Sequence, residues 1–216
     1  MTAKLLSMEI QEVGRRERKK QQTRQLISDV ATTLFMERGF EHVTVAEVAK
    51  AADVAVQTVF NHFPTKEDLL FDEDAWWLGP VRAIREAVPD AAVVEVLEQY
   101  YLDELRMRLR SEHLATWKAF ARTIEESPAL LARRRKNAEE METLMVQALQ
   151  ERDPQLSPLE ARLIAAQYQA AQKVLEAEFA KVLPEHPEAG QVAQYEVAME
   201  QAAGVVFGAL KHGLRG

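Results

Sequence analysis

The chain has 216 residues, 47% hydrophobic and 28% charged, with no cysteine. This composition excludes a disordered chain, a disulfide scaffold, thiol catalysis and cysteine metal sites. The net charge is −7, yet residues 1–70 hold ten basic and ten acidic side chains; the remainder holds seventeen basic against twenty-four acidic, so the whole excess lies in the back of the chain.

Ala, Leu, Glu, Gln and Arg are abundant, and eight glycines and eight prolines are few for a loop-rich β protein, so an all-α fold is predicted. Residues 1–14 are expected to form a flexible arm. They lack the apolar core of a signal peptide, and no segment is apolar enough to span a bilayer, so the expected location is the cytoplasm, away from membranes. Arg15 to Arg24 then carries Arg15, Arg16, Arg18, Lys19, Lys20 and Arg24 against a single Glu17. A first helix is predicted over about Arg16–Arg38, with Leu26/Ile27, Val30/Ala31 and Leu34/Phe35 as one stripe of period near 3.6. Gly39 follows it, the residue type favoured just past a helix end.

Thr44 and Glu47 form a capping-box pair that opens a second, short helix ending near Ala51. Ala52-Asp53 makes a turn, and a third helix covers about Ala55–His62, stopped by Pro64. Thr65, with Asp68 three residues on, is predicted to cap a fourth helix running to about Leu78, where Gly79-Pro80 breaks it. Further helices are predicted over about Ala91–Arg110 and His113–Glu126, and from Pro128 to near Asp153. A second capping box, Ser157-Pro-Leu-Glu160, opens a helix to about Leu183, and a last helix covers about Glu188–His212.

Two short helices joined by a tight turn, after a longer supporting helix, describe a helix-turn-helix, whose second helix can enter the DNA major groove. The alternative is an amphipathic helix with a solvated polar face. The stretch VAVQTVFNHFPTKEDL puts Val54, Val59, Phe60 and Phe63 on its core side. Gln57 and Asn61 can each donate and accept at an adenine edge, and Val56 can meet a thymine methyl. Thr58, His62 and Lys66 suit phosphates, as do the backbone N–H groups behind Thr44 and Lys66. Arg15, Arg16, Lys19 and Lys20 adjoin this face and can neutralise phosphates or enter a minor groove.

From about Thr23 to Leu70 the sequence resembles the TetR family of transcriptional regulators. The family pattern is a helix ending in LFxxxGF, then T-x-x-x-I-A-x-x-A-G-V-S-x-G-T-L-Y-x-H-F-x-x-K-x-x-L. Here it stands as Leu34-Phe35, Gly39-Phe40, Thr44, Val48-Ala49, Val54, Thr58, Val59-Phe60, His62-Phe63, Lys66 and Leu69. Four positions depart from it. Asp53 replaces the turn glycine, at small cost because Asp tolerates left-handed geometry. Ala55 replaces a serine and loses a cap of about 1 kcal/mol. Gln57 stands where glycine is common. Phe60 occupies the position of a DNA-contacting tyrosine, without its hydroxyl.

The resemblance implies an N-terminal three-helix DNA-binding domain, residues 15–66, joined to a larger helical ligand-binding and dimerisation domain, residues 67–216. It implies a dimeric four-helix bundle built from the last two helices. In the residues themselves, Leu163, Ala170 and Val174 form a second apolar face on the helix that also carries Ile164, Tyr168, Ala171 and Leu175, and Gly204 and Gly208 allow close helix approach; close packing within one chain is the alternative. The resemblance also implies a small-molecule pocket in the middle helices. Trp76, Trp77, Tyr100, Tyr101, Trp117, Phe120 and Tyr168 are the aromatics available to line it, as walls for an apolar ligand, or else to fill the core. No G-x-S-x-G, H-E-x-x-H, G-x-G-x-x-G or P-loop pattern occurs, so no catalysis, cofactor or metal is expected. The expected function is a ligand-responsive repressor that binds a palindromic DNA operator as a homodimer. An activator or adaptor governed by a protein partner remains the second reading.

Overall fold

The computed structural model describes residues 2–71, 76–110, 114–184 and 189–212, without the side chains of 2–13, 15, 76, 115, 116 and 189. All regular structure among these residues is helical. The chain divides into two compact units: Met1–Asp74 with Phe120–Leu131, and Ala75–Ala119 with Ala132–Gly216. The predicted boundary at residue 66 therefore lies before that of the compact unit.

In the first unit, α1 spans Thr2–Arg38, α2 Val45–Ala51 and α3 Val56–His62. The structure thus continues α1 through the stretch expected to be an arm. The predicted stripe on α1 supplies the core: Ile27, Ala31 and Phe35 are fully buried, while Leu26 on its edge is 49% exposed. They meet Phe40, Val48, Ala49, Val59 and Phe63 in one cluster, each large side chain contributing about 1.5–3 kcal/mol by leaving water. Gly39 closes α1 with φ 83° and ψ 142°, a conformation that a side chain disfavours. The Phe35 and Phe40 rings then lie 4.9 Å apart.

Thr44 caps α2 as predicted. Its hydroxyl accepts from the Glu47 N–H at 3.2 Å, and its own N–H donates to the Glu47 carboxylate at 2.8 Å. The end of α2 closes as a Schellman motif, in which Val54 N–H donates to Ala49 C=O at 2.9 Å and Asp53 N–H to Lys50 C=O at 3.3 Å. Asp53 takes the left-handed position with φ 53°, so the residue that replaces glycine does adopt glycine's geometry.

The predicted fourth helix does not form. Thr65 and Asp68 make the expected reciprocal bonds, but these open only a 3-10 turn, Glu67–Leu69. Leu69, Leu70 and Phe71 are all buried. Three consecutive inward side chains do not fit one face of an α-helix. Residues 72–75 lie outside the described residues.

In the second unit a 3-10 turn, Trp76–Leu78, leads into α4, Gly79–Glu86. Gly79-Pro80 thus starts a helix rather than breaking one, since proline suits the first turn. A Cβ on Gly79 would fall 2.0 Å from the Tyr100 hydroxyl, so this close approach requires glycine. Next come α5, Val93–Arg110; α6, Leu114–Glu125, and α7, Pro128–Arg152, of which residues 120–125 and 128–131 belong to the first unit; α8, Pro158–Val182; and α9, Val192–His212. The predicted starts at His113 and Glu188 lie outside the described residues. Ser157 and Glu160 form the predicted box at the start of α8. Val81, Ile84, Leu97, Leu105, Met145, Leu149, Tyr168, Leu175, Met199 and Phe207 make the core. Arg152, at the end of α7, donates to the carbonyls of Ile84, Ala87, Val88, Pro89 and Ala91, and so fastens the α4–α5 loop.

Candidate nucleic-acid interface

The first unit presents α3 with one side in the core and the rest outward. Val59, and Phe63 just beyond it, are fully buried. Gln57, Phe60 and Asn61 are exposed with Val56, and Thr58 and His62 are half-buried. Phe60 is therefore not a core residue, as its spacing suggested. At 44% exposure it stands beside Val56, at 41%, one turn away on the outer face. The two i,i+4 apolar pairs, Val56–Phe60 and Val59–Phe63, form adjacent stripes about 60° apart around the helix axis, and only the second is buried.

The Gln57 amide donates to the Asn61 Oδ1 at 3.1 Å, so the two predicted base readers form one hydrogen-bonded unit. Ala55 provides no side-chain cap. Its carbonyl still accepts from the Thr58 and Val59 N–H groups at 2.8 and 3.3 Å.

Arg16, Lys19 and Lys20 are exposed on α1; the Arg15 side chain lies outside the described residues. One turn on from Lys20, Arg24 donates to the His62 carbonyl and stacks 4.4 Å from the Phe63 ring centroid. This fixes the basic side of α1 at the end of α3. Burial, then the charges of Arg24 and Lys20, lower the His62 pKa below its usual 6.5; its Nδ1 is buried with no hydrogen-bond partner.

Lys66 turns inward. Its Nζ donates to the Phe40 carbonyl at 2.5 Å and lies 4.1 Å from the Phe40 ring centroid. Burial depresses its pKa, against the pull of Glu41, Glu67 and Glu47. No helix N-terminus stands behind it to receive phosphate, because the segment that follows is the short 3-10 turn. Lys66 is thus a brace of the fold, which the sequence pattern did not disclose. Thr44 is exposed at the start of α2, and Glu47 beside it is held at about 2 by the Thr44 N–H, the Arg38 guanidinium and the Thr44 hydroxyl.

The predicted pocket residues separate. Phe120 packs into the core of the first unit. Trp77, Tyr101 and Tyr168 belong to the core of the second, and the Trp76 side chain lies outside the described residues. Tyr168 is 1% exposed and receives a hydrogen bond from Gln172 at 3.0 Å. Tyr100 and Tyr101 are half-buried, and burial pushes each up to about 12. Trp117 stacks under the Arg108 guanidinium at 4.2 Å, a residue the sequence reading passed over.

The predicted interface residues all reach the surface of the second unit. Ala161, Ala165, Tyr168, Ala171 and Leu175 bury one face of α8, while Leu163, at 55%, and Val174, at 49%, are exposed on another with Ala170. On α9, a Cβ added at Gly204 or Gly208 would meet nothing within 4 Å, and the neighbouring Val205 is 75% exposed.

A capped three-helix unit with a Schellman turn before an outward-facing, polar second helix defines a helix-turn-helix DNA-binding regulator. The profile of the family described as "Bacterial regulatory proteins, tetR family" matches residues 27–72. The chain is 31% identical over 183 residues to the HTH-type transcriptional regulator TcmR of Streptomyces glaucescens, covering 77% of this chain and 76% of that one. This protein belongs to the TetR family of transcriptional regulators, whose members bind DNA, act as dimers and are typically repressors. Its fold is that of NalD from Pseudomonas aeruginosa, the secondary repressor of the MexAB-OprM multidrug efflux pump, at TM-score 0.51 and 18% identity over 90% of this chain and 97% of that one. Salmonella enterica GusR likewise superposes at TM-score 0.51 with 16% identity, over 86% and 95% of the two chains. No helix among the described residues is long and apolar enough to cross a membrane.

Proposed function

We infer that this protein is a ligand-responsive repressor that binds a palindromic operator as a homodimer and is released by a small molecule. The observation that carries the reading is the outer face of α3, where Val56, Gln57, Phe60 and Asn61 are exposed together although the helix needs only Val59 for its own packing. Gln57 and Asn61 read base edges, and Val56 and Phe60 offer apolar contact to thymine methyls. Thr44, Thr58, His62, Arg15, Arg16, Lys19 and Lys20 position the helix through phosphates. The exposed stripe of Leu163, Ala170 and Val174, with Gly204 and Gly208 on α9, joins a second copy and sets two recognition helices one DNA turn apart, about 34 Å.

The second unit then carries the small-molecule site, among Trp76, Trp77, Tyr100, Tyr101, Trp117 and Tyr168. A ligand that binds better to the form with misplaced recognition helices draws population from the DNA-bound form, and DNA must oppose the ligand in return.

Selection of bound DNA from random sequence, repeated with a metabolite mixture, tests this directly. Two inverted half-sites and loss of capture in the presence of the mixture are expected. Recovery of a single half-site would overturn the homodimer. Capture that no small molecule reduces, but that a protein fraction does, would favour the partner-governed activator or adaptor.

A further inference from the structure

We propose that the small-molecule site of the second unit takes an aromatic organic anion, with Arg108 of α5 as the anchor of its acidic group. The proposal rests on reading this unit as ligand-binding and departs from the apolar ligand that its aromatic composition suggests.

Three arginines follow one another at alternate positions on α5. Arg106 pairs with Glu196 and Glu200 of α9, and Arg110 pairs with Glu196. Arg108 is turned about 200° from Arg106 around the helix axis and faces the aromatic side. Its guanidinium lies 4.2 Å from the Trp117 ring centroid on α6 and 5.5 Å from that of Phe179 on α8. Its Nε is shielded from solvent and has no hydrogen-bond partner. One donor of this half-buried guanidinium is thus withdrawn from water and unsatisfied, a costly arrangement that an acceptor on a ligand would relieve.

The chemistry of the surroundings narrows the class. A guanidinium covered on its face by aromatic rings presents its N–H groups at the edge, in the plane that a carboxylate, sulfonate or phenolate accepts from. Rings on the ligand extend the Trp117 and Phe179 stack. Tyr101 and Tyr100 lie about two turns back along this side of α5, and the Arg108 charge acts on both. The charges of Glu104 and Glu176 act at the same tyrosines. The guanidinium edge thus favours an anionic group of the ligand at Arg108, and the Tyr100 and Tyr101 hydroxyls suit neutral hydroxyl or carbonyl groups.

The test uses two fluorescent dyes of the same ring system, anilinonaphthalene sulfonate and its neutral counterpart phenylnaphthylamine, with the full-length protein. Wild type is expected to bind the sulfonate about tenfold or more tightly than the amine. Arg108→Met should bring the two to within about twofold while leaving the affinity for the amine in place. Arg108→Lys, which keeps the charge without the fork, should fall between them. Circular dichroism confirms the fold of each variant, and Arg108→Gln replaces Arg108→Met if the latter unfolds. Equal binding of the two dyes by wild type, or a preference that survives in Arg108→Met or Arg108→Gln, would overturn the proposal. Gel shifts on the selected DNA separate this site from the regulatory reading. A dye held by Arg108 that leaves DNA affinity unchanged supports the anion site and removes ligand-controlled release. Release driven only by the neutral dye removes the anion site.

Discussion

Gln57 and Asn61 are hydrogen-bonded to one another across one turn of α3, amide to carbonyl, at 3.1 Å. Their removal is therefore not independent. Gln57→Ala and Asn61→Ala are each expected to relax preference at one base pair by about 1–3 kcal/mol. The double variant should lose less than the sum, because either single change already breaks the pair. Binding titrations on the selected operator and its single-base variants measure this; strict additivity would show that the two act separately.

Asp53 occupies a left-handed position with φ 53°. Asp53→Gly should be neutral or stabilising. Asp53→Val should cost about 1–2 kcal/mol, since a β-branched side chain is disfavoured there. Urea unfolding of the two variants decides it, and equal midpoints would mean that the turn is not under conformational stress.

Glu47 is held at about 2, against 4.5 ordinarily. A pKa lowered in the folded state means that the unfolded chain takes up the proton first. The contribution is thus complete above about 4.5 and disappears as pH falls toward about 2. Glu47→Gln should lie below wild type at neutral pH, and the two stability curves should converge on acidification. A gap that widens at low pH would reverse the assignment.

Arg152 holds five carbonyls of the segment between Ile84 and Ala91. Arg152→Ala is expected to cost about 2–3 kcal/mol and to speed hydrogen exchange in the α4–α5 loop. Unchanged exchange there would show that the loop is held by other means.

Leu163→Glu with Val174→Glu places charge on the exposed stripe of α8 without entering the core. The variant should keep its helical circular dichroism, sediment as a monomer and bind the operator more weakly. A dimer that persists would move the interface elsewhere.

Where a rule is local, the sequence discloses the structure. The Thr44 and Ser157 capping boxes, Gly39 past the end of α1 and the left-handed Asp53 all depend on neighbours within a few residues. Phe60 escaped because 56–60 and 59–63 are equivalent spacings, and nothing in the order of residues says which pair faces inward. The fourth helix failed for the opposite reason: Thr65 and Asp68 start a turn correctly, but Leu69, Leu70 and Phe71 are drawn into the core from several sides. The structural roles of Lys66, Arg108 and Arg152 have no signature in the sequence, although Lys66 itself is part of the family pattern. Their roles come from groups elsewhere in the chain, a carbonyl at Phe40, rings at Trp117 and Phe179, and the loop after α4, which only the fold assembles.

The pose of α3 is set upstream, by the backbone closure from Ala49 to Val54, and by the two buried side chains Val59 and Phe63. Ala55 contributes no cap, and Val56, Gln57, Phe60 and Asn61 contribute little to holding the helix in place. On the proposed reading, folding and base recognition fall to different residues of one seven-residue helix. If those outward positions read the operator as proposed, substituting them leaves the scaffold that presents them as it is, and retargeting, by selection or by design, becomes a problem of chemistry at four side chains rather than of refolding a domain.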